Sequence, residues 1–214
     1  KEPIKLPLKT HSYQQWSLAL REYAQTEALR QEISYWQEID NSIQDLKVDF
    51  DLGTPTGASF KTIPTSLTEE ETTKLLQQVP KAYRTQINDI LLAGLVLAIG
   101  DWKGTYDVTI SLEGHGREEI TEGIDLSRTI GWFTSIFPVH LSISNINDLG
   151  EVIKATKENL RQIPKKGIGY SIIKYLSKED KAIFKKHPQL SFNYLGQWDN
   201  TADSDNKIIS PISG

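Results

Sequence analysis

The stretch YDVTISLEGHGREE, residues 106–119, joins an alternating run to a charged run. Alternation of apolar and polar residues up to Leu112 predicts a β-strand. Glu113, His115 and Arg117 follow, separated by two glycines. If the strand continued, Glu113 and His115 would share a face, and the glycines would let the backbone turn and a substrate come close. Taken alone, the stretch fits a solvated turn with incidental charges equally well.

The rest of the chain alternates predicted helices and strands. Residues 10–39 have helical periodicity, with Ser12 as N-cap and a possible break near Thr26. Four more helices are expected. They are 68–79, with a Thr68/Glu71 capping box and an end at Pro80; one after a Thr85 cap; 149–163, capped by Asp148; and a short helix after the glycine turn within residues 165–177. The other strands are expected at 58–67, 131–143 and 190–199. This order predicts an α/β layered architecture.

Composition excludes several classes of protein. The net charge is −4 and no basic excess favours nucleic acid. The longest apolar run, residues 90–100, is too short to span a bilayer. The chain has no cysteine, which excludes disulfides and thiolate chemistry and fits a cytoplasmic protein. It also has no methionine, even at position 1, so we expect a piece of a longer protein.

Three other segments are rich in polar and aromatic residues, but each of them, taken alone, fits an ordinary structural element. RTIGWFTSIFPVHL (128–141) fits a core strand, PKKGIGYS (164–171) a helix end and start, and FNYLGQWD (192–199) an edge or core strand. Adjacent strand residues such as Asn193 and Tyr194 point to opposite faces. No two histidines have metal-ligand spacing and no Gly-x-Ser-x-Gly elbow occurs, so neither a metal site nor a serine hydrolase is predicted.

Read in order, these segments resemble the epimerization domains of nonribosomal peptide synthetases, which belong to the condensation-domain superfamily. EGHGRE (113–118) matches a family element at every position, and NDILLAGL (88–95) resembles another. The three segments described above match the remaining elements in the expected order. The resemblance runs over nearly the whole chain.

The resemblance implies a chloramphenicol-acetyltransferase-like layered sheet with helices. Residues 1–50 would be the helical lead-in from a first lobe, and residues 51–214 most of the second lobe. The superfamily's His-His-x-x-x-Asp-Gly element, whose second histidine is catalytic, does not occur in this sequence. We therefore expect a partial domain that is inactive alone and exposes an apolar surface toward the other lobe.

The implied reaction inverts the α-carbon of an aminoacyl or peptidyl thioester. The substrate would hang on the phosphopantetheine arm of a carrier protein, with no cofactor bound directly by this chain. A glutamate in a narrow tunnel loses hydration, which favours its neutral form and suits it to exchange protons. Glu113 is the candidate base. The other predicted catalytic residues are His115, Arg117, Asn193 and Tyr194, and the predicted tunnel residues are Gly114, Gly116, Trp132, Thr134, Ser135, Gly167, Gly169 and Tyr170.

Two alternative functions stay open from the sequence. The parent could be a peptide-bond-forming condensation domain, or a dual condensation/epimerization domain, although condensation domains typically differ at residues 131–135 and lack EGHGRE. The isolated chain could instead be a non-catalytic lobe that binds a carrier protein or its other half. The amino acid inverted is not predicted.

Overall fold

A computed structural model of the chain describes residues 7–50, 53, 56–177 and 184–196. Within them, the sheet has three strands in the order β2-β1-β3. The central strand β1 (Asp107–Gly114) pairs antiparallel with β2 (Ser135–Ser142) and parallel with β3 (Ser191–Phe192). The sheet and its surrounding helices confirm the predicted α/β class.

Eight α-helices accompany the sheet in the described part of the chain. In order they are α1 (Tyr13–Tyr23), α2 (Glu27–Arg30), α3 (Ile33–Ser42), α4 (Glu69–Thr73), α5 (Val79–Tyr83), α6 (Ile87–Lys103), α7 (Leu149–Arg161) and α8 (Ile168–Leu176). Helices α3, α7 and α8 contact β2, and α6 contacts β1. Short 3₁₀ turns occur at Gly57–Ser59 and Pro164–Gly167, and a π-helical turn at Lys74–Gln78.

Strict alternation in β1 divides the sheet into two faces. Val108, Ile110 and Leu112 are buried in the core, where Phe137, Val139 and Leu141 of β2 lie opposite Leu112, Ile110 and Val108. The other side of β1, here called its polar face, carries Asp107, Thr109, Ser111 and Glu113. The sequence pattern thus places Glu113 away from the core.

The predicted helix over residues 10–39 is broken into α1, α2 and α3. Thr26 caps α2 by accepting the N–H of Leu29 at 3.4 Å, so the break near Thr26 is confirmed. Ser12 caps α1 with a reciprocal Gln15 capping box, as expected for its N-cap.

Five predictions of elements or their boundaries were wrong. The strand expected at residues 58–67 does not form, because Gly57–Ser59 is a 3₁₀ turn and residues 60–67 have no regular secondary structure. Pro80 does not end its helix. The π-helical turn precedes it, and Pro80 lies in the first turn of α5, where a backbone N–H would have no acceptor within the helix. Gln86, not Thr85, is the N-cap of α6, and its N–H donates to Asp89 Oδ2 at 2.7 Å.

The other two errors concern the bounds of the two outer strands. β2 begins at Ser135 rather than residue 131, because residues 131–134 turn across the loop that follows β1. β3 is confined to Ser191–Phe192 in the described region, and residues 197–199 of the predicted strand lie outside that region.

Replacing Asp148 with alanine tests the predicted cap of α7. Asp148 Oδ1 accepts the backbone N–H groups of Gly150 at 2.8 Å and Glu151 at 3.3 Å. Losing this cap should lower the free energy of unfolding by about 1 kcal/mol, measured by urea denaturation. The neighbouring exposed Asn147→Ala should change it by less than about 0.5 kcal/mol. Equal effects of the two variants would contradict the capping role.

Candidate active site

Glu113 and Asn193 meet on the polar face of β1, although 80 positions separate them. Asn193 Nδ2 donates to Glu113 Oε2 at 2.8 Å. The parallel register, with Ser191 opposite Ser111 and Phe192 opposite Leu112, brings Asn193 level with Glu113. The predicted site residues Glu113 and Asn193 are therefore in direct contact, and both side chains are exposed.

The segment that carries Asn193 is tied to the end of α3. The buried carboxylate of Asp40 accepts the backbone N–H groups of Lys185 and Lys186 at 3.2 to 3.3 Å. Lys186 Nζ donates to the carbonyl of Ile43 at 3.0 Å, and Gln189 Oε1 accepts the N–H of Leu46 at 2.5 Å. These bonds fix the approach to β3 and hence the position of Asn193.

Arg117 supports the loop that follows β1. Its guanidinium donates to the carbonyls of Leu126 at 2.6 Å and Thr129 at 2.8 Å. The same group lies 3.9 Å above the ring of Phe133, within cation–π range. Each of these contacts joins Arg117 to the segment that leads into β2.

His115 is held by its own loop. Its Nδ1 accepts the backbone N–H of Arg117 at 3.0 Å, and its Nε2 lies 3.1 Å from Glu118 Oε1. The second oxygen of Glu118 is 3.1 Å from Lys166 Nζ. Glu118 was not among the predicted site residues, although it is the last residue of EGHGRE.

The predicted tunnel glycines pack against the chain itself. A Cβ on Gly116 would lie 1.6 Å from the Phe133 carbonyl, one on Gly167 2.3 Å from the Phe137 ring, and one on Gly169 1.9 Å from Glu32 Oε2. Gly116 and Gly167 also have φ values of +67° and +86°, where side chains are disfavoured. Close packing of the chain, rather than room for a substrate, accounts for these three glycines.

Two neighbouring clefts collect most of the other predicted tunnel residues. The first, about 250 Å³, is lined by Trp132, Thr134, Ser135 and Gly116, together with side chains of α1 and α8. The second, about 410 Å³, shares Thr134, Ser171 and Tyr175 with the first and adds Tyr170, Lys174 and His187. Sequence reasoning assigned Tyr170 of α8 to the tunnel but missed Ser171, Lys174 and Tyr175, because these positions were predicted only as part of a short helix.

The polar groups of these clefts have distinct electrostatic environments. Ser135 is buried and its Oγ has no hydrogen-bond partner. Burial, with smaller effects of Asp40 and Tyr175, raises the pKa of Tyr170 to about 12, so its hydroxyl keeps its proton. Burial lowers the pKa of Lys174, whose Nζ lies 3.3 Å from His187 Nδ1. Tyr194, next to Asn193, is half-buried.

A buried carboxyl group supports the glycine turn from behind. Glu32 is buried, and its Oε2 accepts the Trp36 indole N–H at 3.1 Å beside Gly169. Burial raises the pKa of Glu32, against the smaller lowering effects of the indole hydrogen bond and the Lys165 charge. The sequence offered no signal for this contact.

The described residues contain no helix long and apolar enough to cross a bilayer. The same residues bring together no group of three or more side chains suited to hold a metal ion.

Comparison with known proteins identifies the family. The condensation domain model matches residues 1–211. The chain belongs to the condensation domain family. The superfamily inferred from the sequence motifs is thereby confirmed.

Relatives of this condensation-family chain include large synthases. The chain is 43% identical over 217 residues to gramicidin S synthase 1 of Brevibacillus brevis, covering 99% of this chain and 20% of that protein. It is 41% identical over 216 residues to tyrocidine synthase 2 of Brevibacillus parabrevis, covering 99% of this chain and 6% of that protein. The chain thus spans a small part of these relatives.

Solved structures agree with the family fold. The epimerization domain from the third module of tyrocidine synthetase B matches with a TM-score of 0.83 and 43% identity, over 92% of this chain and 45% of that chain. The SgcC5 protein of Streptomyces globisporus matches with a TM-score of 0.62 at 15% identity, over 82% of this chain and 40% of that one. The chloramphenicol-acetyltransferase-like fold class is confirmed.

Gly116→Ala, compared with Gly123→Ala, tests the packing of the loop after β1. Both glycines have positive φ, but the Cβ position of Gly123 is empty within 4 Å, whereas that of Gly116 meets the Phe133 carbonyl. Gly123→Ala should cost about 1 to 2 kcal/mol of stability, and Gly116→Ala at least about 3 kcal/mol, because backbone must move. Similar unfolding free energies for the two variants would refute the close contact.

Glu32 makes stability depend on pH. Because its folded pKa lies above the unfolded value, the folded state retains a proton that the unfolded chain has lost. Its contribution is therefore complete below the unfolded pKa and is lost as pH rises through the folded pKa. Urea unfolding between about pH 4 and pH 7 should show Glu32→Gln gaining stability relative to the unsubstituted chain as pH rises. Glu38→Gln, at an exposed position of α3, the helix that Glu32 precedes, is the control. A pH-independent difference for Glu32→Gln would disprove the effect.

Proposed function

We propose that this chain is part of a nonribosomal peptide synthetase epimerization domain. The domain inverts L to D at the α-carbon of an aminoacyl or peptidyl thioester carried by a carrier protein. The observation that carries the proposal is the 2.8 Å contact between Glu113 of EGHGRE and Asn193 of FNYLGQ. The likeness to an epimerization domain at 43% identity and a TM-score of 0.83 supports it.

Glu113 acts as the base in the proposed mechanism. Its carboxylate takes the α-proton, and the electron pair of the broken C–H bond moves into an enolate on the thioester oxygen. Reprotonation on the opposite face gives the inverted carbon. Two acid/base groups on opposite sides of the substrate serve this sequence best.

Asn193 orients that base. Because its amide N–H donates to Glu113 Oε2, the other oxygen, Oε1, is left to accept the α-proton. The hydrogen bond also limits rotation of a side chain that is otherwise exposed. Asn193 thus holds Glu113 in one orientation without taking a proton itself.

The remaining components come from partners in this proposal. The opposite acid is the second histidine of a His-His-x-x-x-Asp-Gly element in the first lobe of the domain. The pantetheine arm belongs to the carrier protein, and the chain binds no cofactor directly. Trp132, Thr134 and Ser135 line the cleft beside the end of β1, and they are the residues proposed to contact the substrate.

Deuterium uptake tests the proposal directly. The aminoacyl-carrier thioester is incubated in D₂O with the 214-residue chain, or with the parent domain that contains it, and α-deuterium is read by mass spectrometry. Uptake is expected with the parent domain and absent with the chain alone. Glu113→Gln in the parent should reduce the rate by at least about 100-fold.

Glu122→Gln provides a matched control, since it removes an exposed carboxylate from the same loop and should leave uptake unchanged. If the parent takes up no deuterium but forms a peptide when an acceptor is supplied, the condensation alternative replaces the proposal. If the parent only binds carrier protein, the non-catalytic alternative replaces it.

A further inference from the structure

We propose that Glu118 is a positioning residue that clamps the EGHGRE loop to the Pro164–Gly167 turn and thereby fixes the end of β1 that presents Glu113. This inference rests on the proposed epimerization function for its kinetic consequence, but its structural part is independent of that function.

The first observation is the position of Glu118 between two motifs. Its side chain is only 10% exposed, although the two groups it contacts are largely exposed. One oxygen lies 3.1 Å from His115 Nε2 and the other 3.1 Å from Lys166 Nζ. A single carboxylate thus joins segments about 50 residues apart in the chain.

The contacts of His115 define its tautomer. A backbone N–H can only donate, so His115 Nδ1 accepts from Arg117 and carries no proton. The ring proton of the neutral imidazole is then on Nε2, where it donates to Glu118 Oε1. With both ring nitrogens engaged, His115 holds the loop and has no free nitrogen for proton transfer to a substrate.

The second observation is backbone strain in the turn that Glu118 contacts. Lys165 and Lys166 have φ values of +42° and +50°, a region that costs a residue with a side chain about 1 kcal/mol or more. The Lys166 carbonyl lies 3.8 Å from the Cβ position of Gly114, the residue after Glu113. The pair between Glu118 and Lys166 holds this turn against the end of β1.

The clamp therefore acts on Glu113 through its neighbours. Without it, the Lys165–Lys166 turn can relax away from Gly114, and the imidazole of His115 loses its acceptor. The side chain of Glu113 would then have a less defined orientation. Small displacements of a reacting group are known to slow catalysis by factors of up to about 100.

The test compares Glu118→Gln with Glu119→Gln. The glutamine keeps the shape of Glu118 but cannot accept strongly from both partners, whereas Glu119 is an exposed neighbour of the same charge. In the 214-residue chain, two-bond ¹H–¹⁵N spectra of His115 should show the Nε2–H tautomer, with the Nδ1–H form increasing only in Glu118→Gln. In the parent domain, Glu118→Gln should lower kcat for α-deuterium uptake about 10-fold or more, with KM within about twofold.

A second substitution separates clamping from general damage. Glycine adopts positive φ without strain, so Lys166→Gly should restore part of the kcat lost in Glu118→Ala. The clamp would be overturned if the spectra and rates of Glu118→Gln equalled those of Glu119→Gln. It would also be overturned if the double variant, Glu118→Ala with Lys166→Gly, were no faster than Glu118→Ala alone. If the unsubstituted parent takes up no deuterium, the epimerization proposal fails, whereas the His115 spectra still decide whether the clamp exists.

Discussion

The central position of β1 is the constraint on which the rest of the site depends. One face of the strand is committed to the core by Val108, Ile110 and Leu112, so Glu113 must lie on the other face. Pairing on both edges then fixes which residues surround it: Ile136 from β2 and Asn193 beyond β3. A slip of one residue would bury Glu113 and expose Leu112, which the core strongly disfavours.

In the EGHGRE motif, Glu113 faces the proposed site, and the other residues described here hold the loop in place. Gly116 allows the chain to pass under the Phe133 carbonyl, and Arg117 fastens the loop to the carbonyls of Leu126 and Thr129. Glu113 is the member of the motif whose side chain meets a predicted site residue outside the motif, Asn193. A dense cluster of ionisable residues is thus mostly a means of building a tight turn at the end of a strand.

Sequence patterns correctly predicted the elements that are determined by interactions between residues close together in the sequence. The alternation of β1 and the Ser12, Thr68 and Asp148 caps all gave correct elements, because each depends on neighbours within four residues. The prediction for Pro80 was wrong because a π-helical turn accommodates it. The strand predicted at residues 58–67 was wrong because a strand-like sequence alone does not supply a strand partner. The site was predictable only where a motif carried it: Glu113 and Asn193 were assigned to one site through the family resemblance, which supplies long-range information that one sequence lacks. Their direct contact was not predicted. Asp40 and Glu32 had no such signal, because their contacts with Lys185 and Gly169 are each more than 100 positions away, and no spacing rule links residues at those separations. Glu118 lies in EGHGRE, but nothing in the sequence indicated its contact with Lys166.

The exposure of Glu113 places a physical demand on the proposed reaction. A hydrated carboxylate is a weak base toward a carbon acid, and donors to an enolate oxygen act strongly only where water is excluded. The proposed site therefore requires a second surface over the polar face of β1. Ile130, Trp132 and Leu195, which lie in the segments leading to β2 and following β3, are 96%, 81% and 73% exposed. Apolar side chains at these positions are suited to pack against such a surface. In the proposed two-lobe domain, the same contact that buries them would dehydrate Glu113 and bring the opposite acid to the substrate, so that assembly of the lobes and activation of the base are one event.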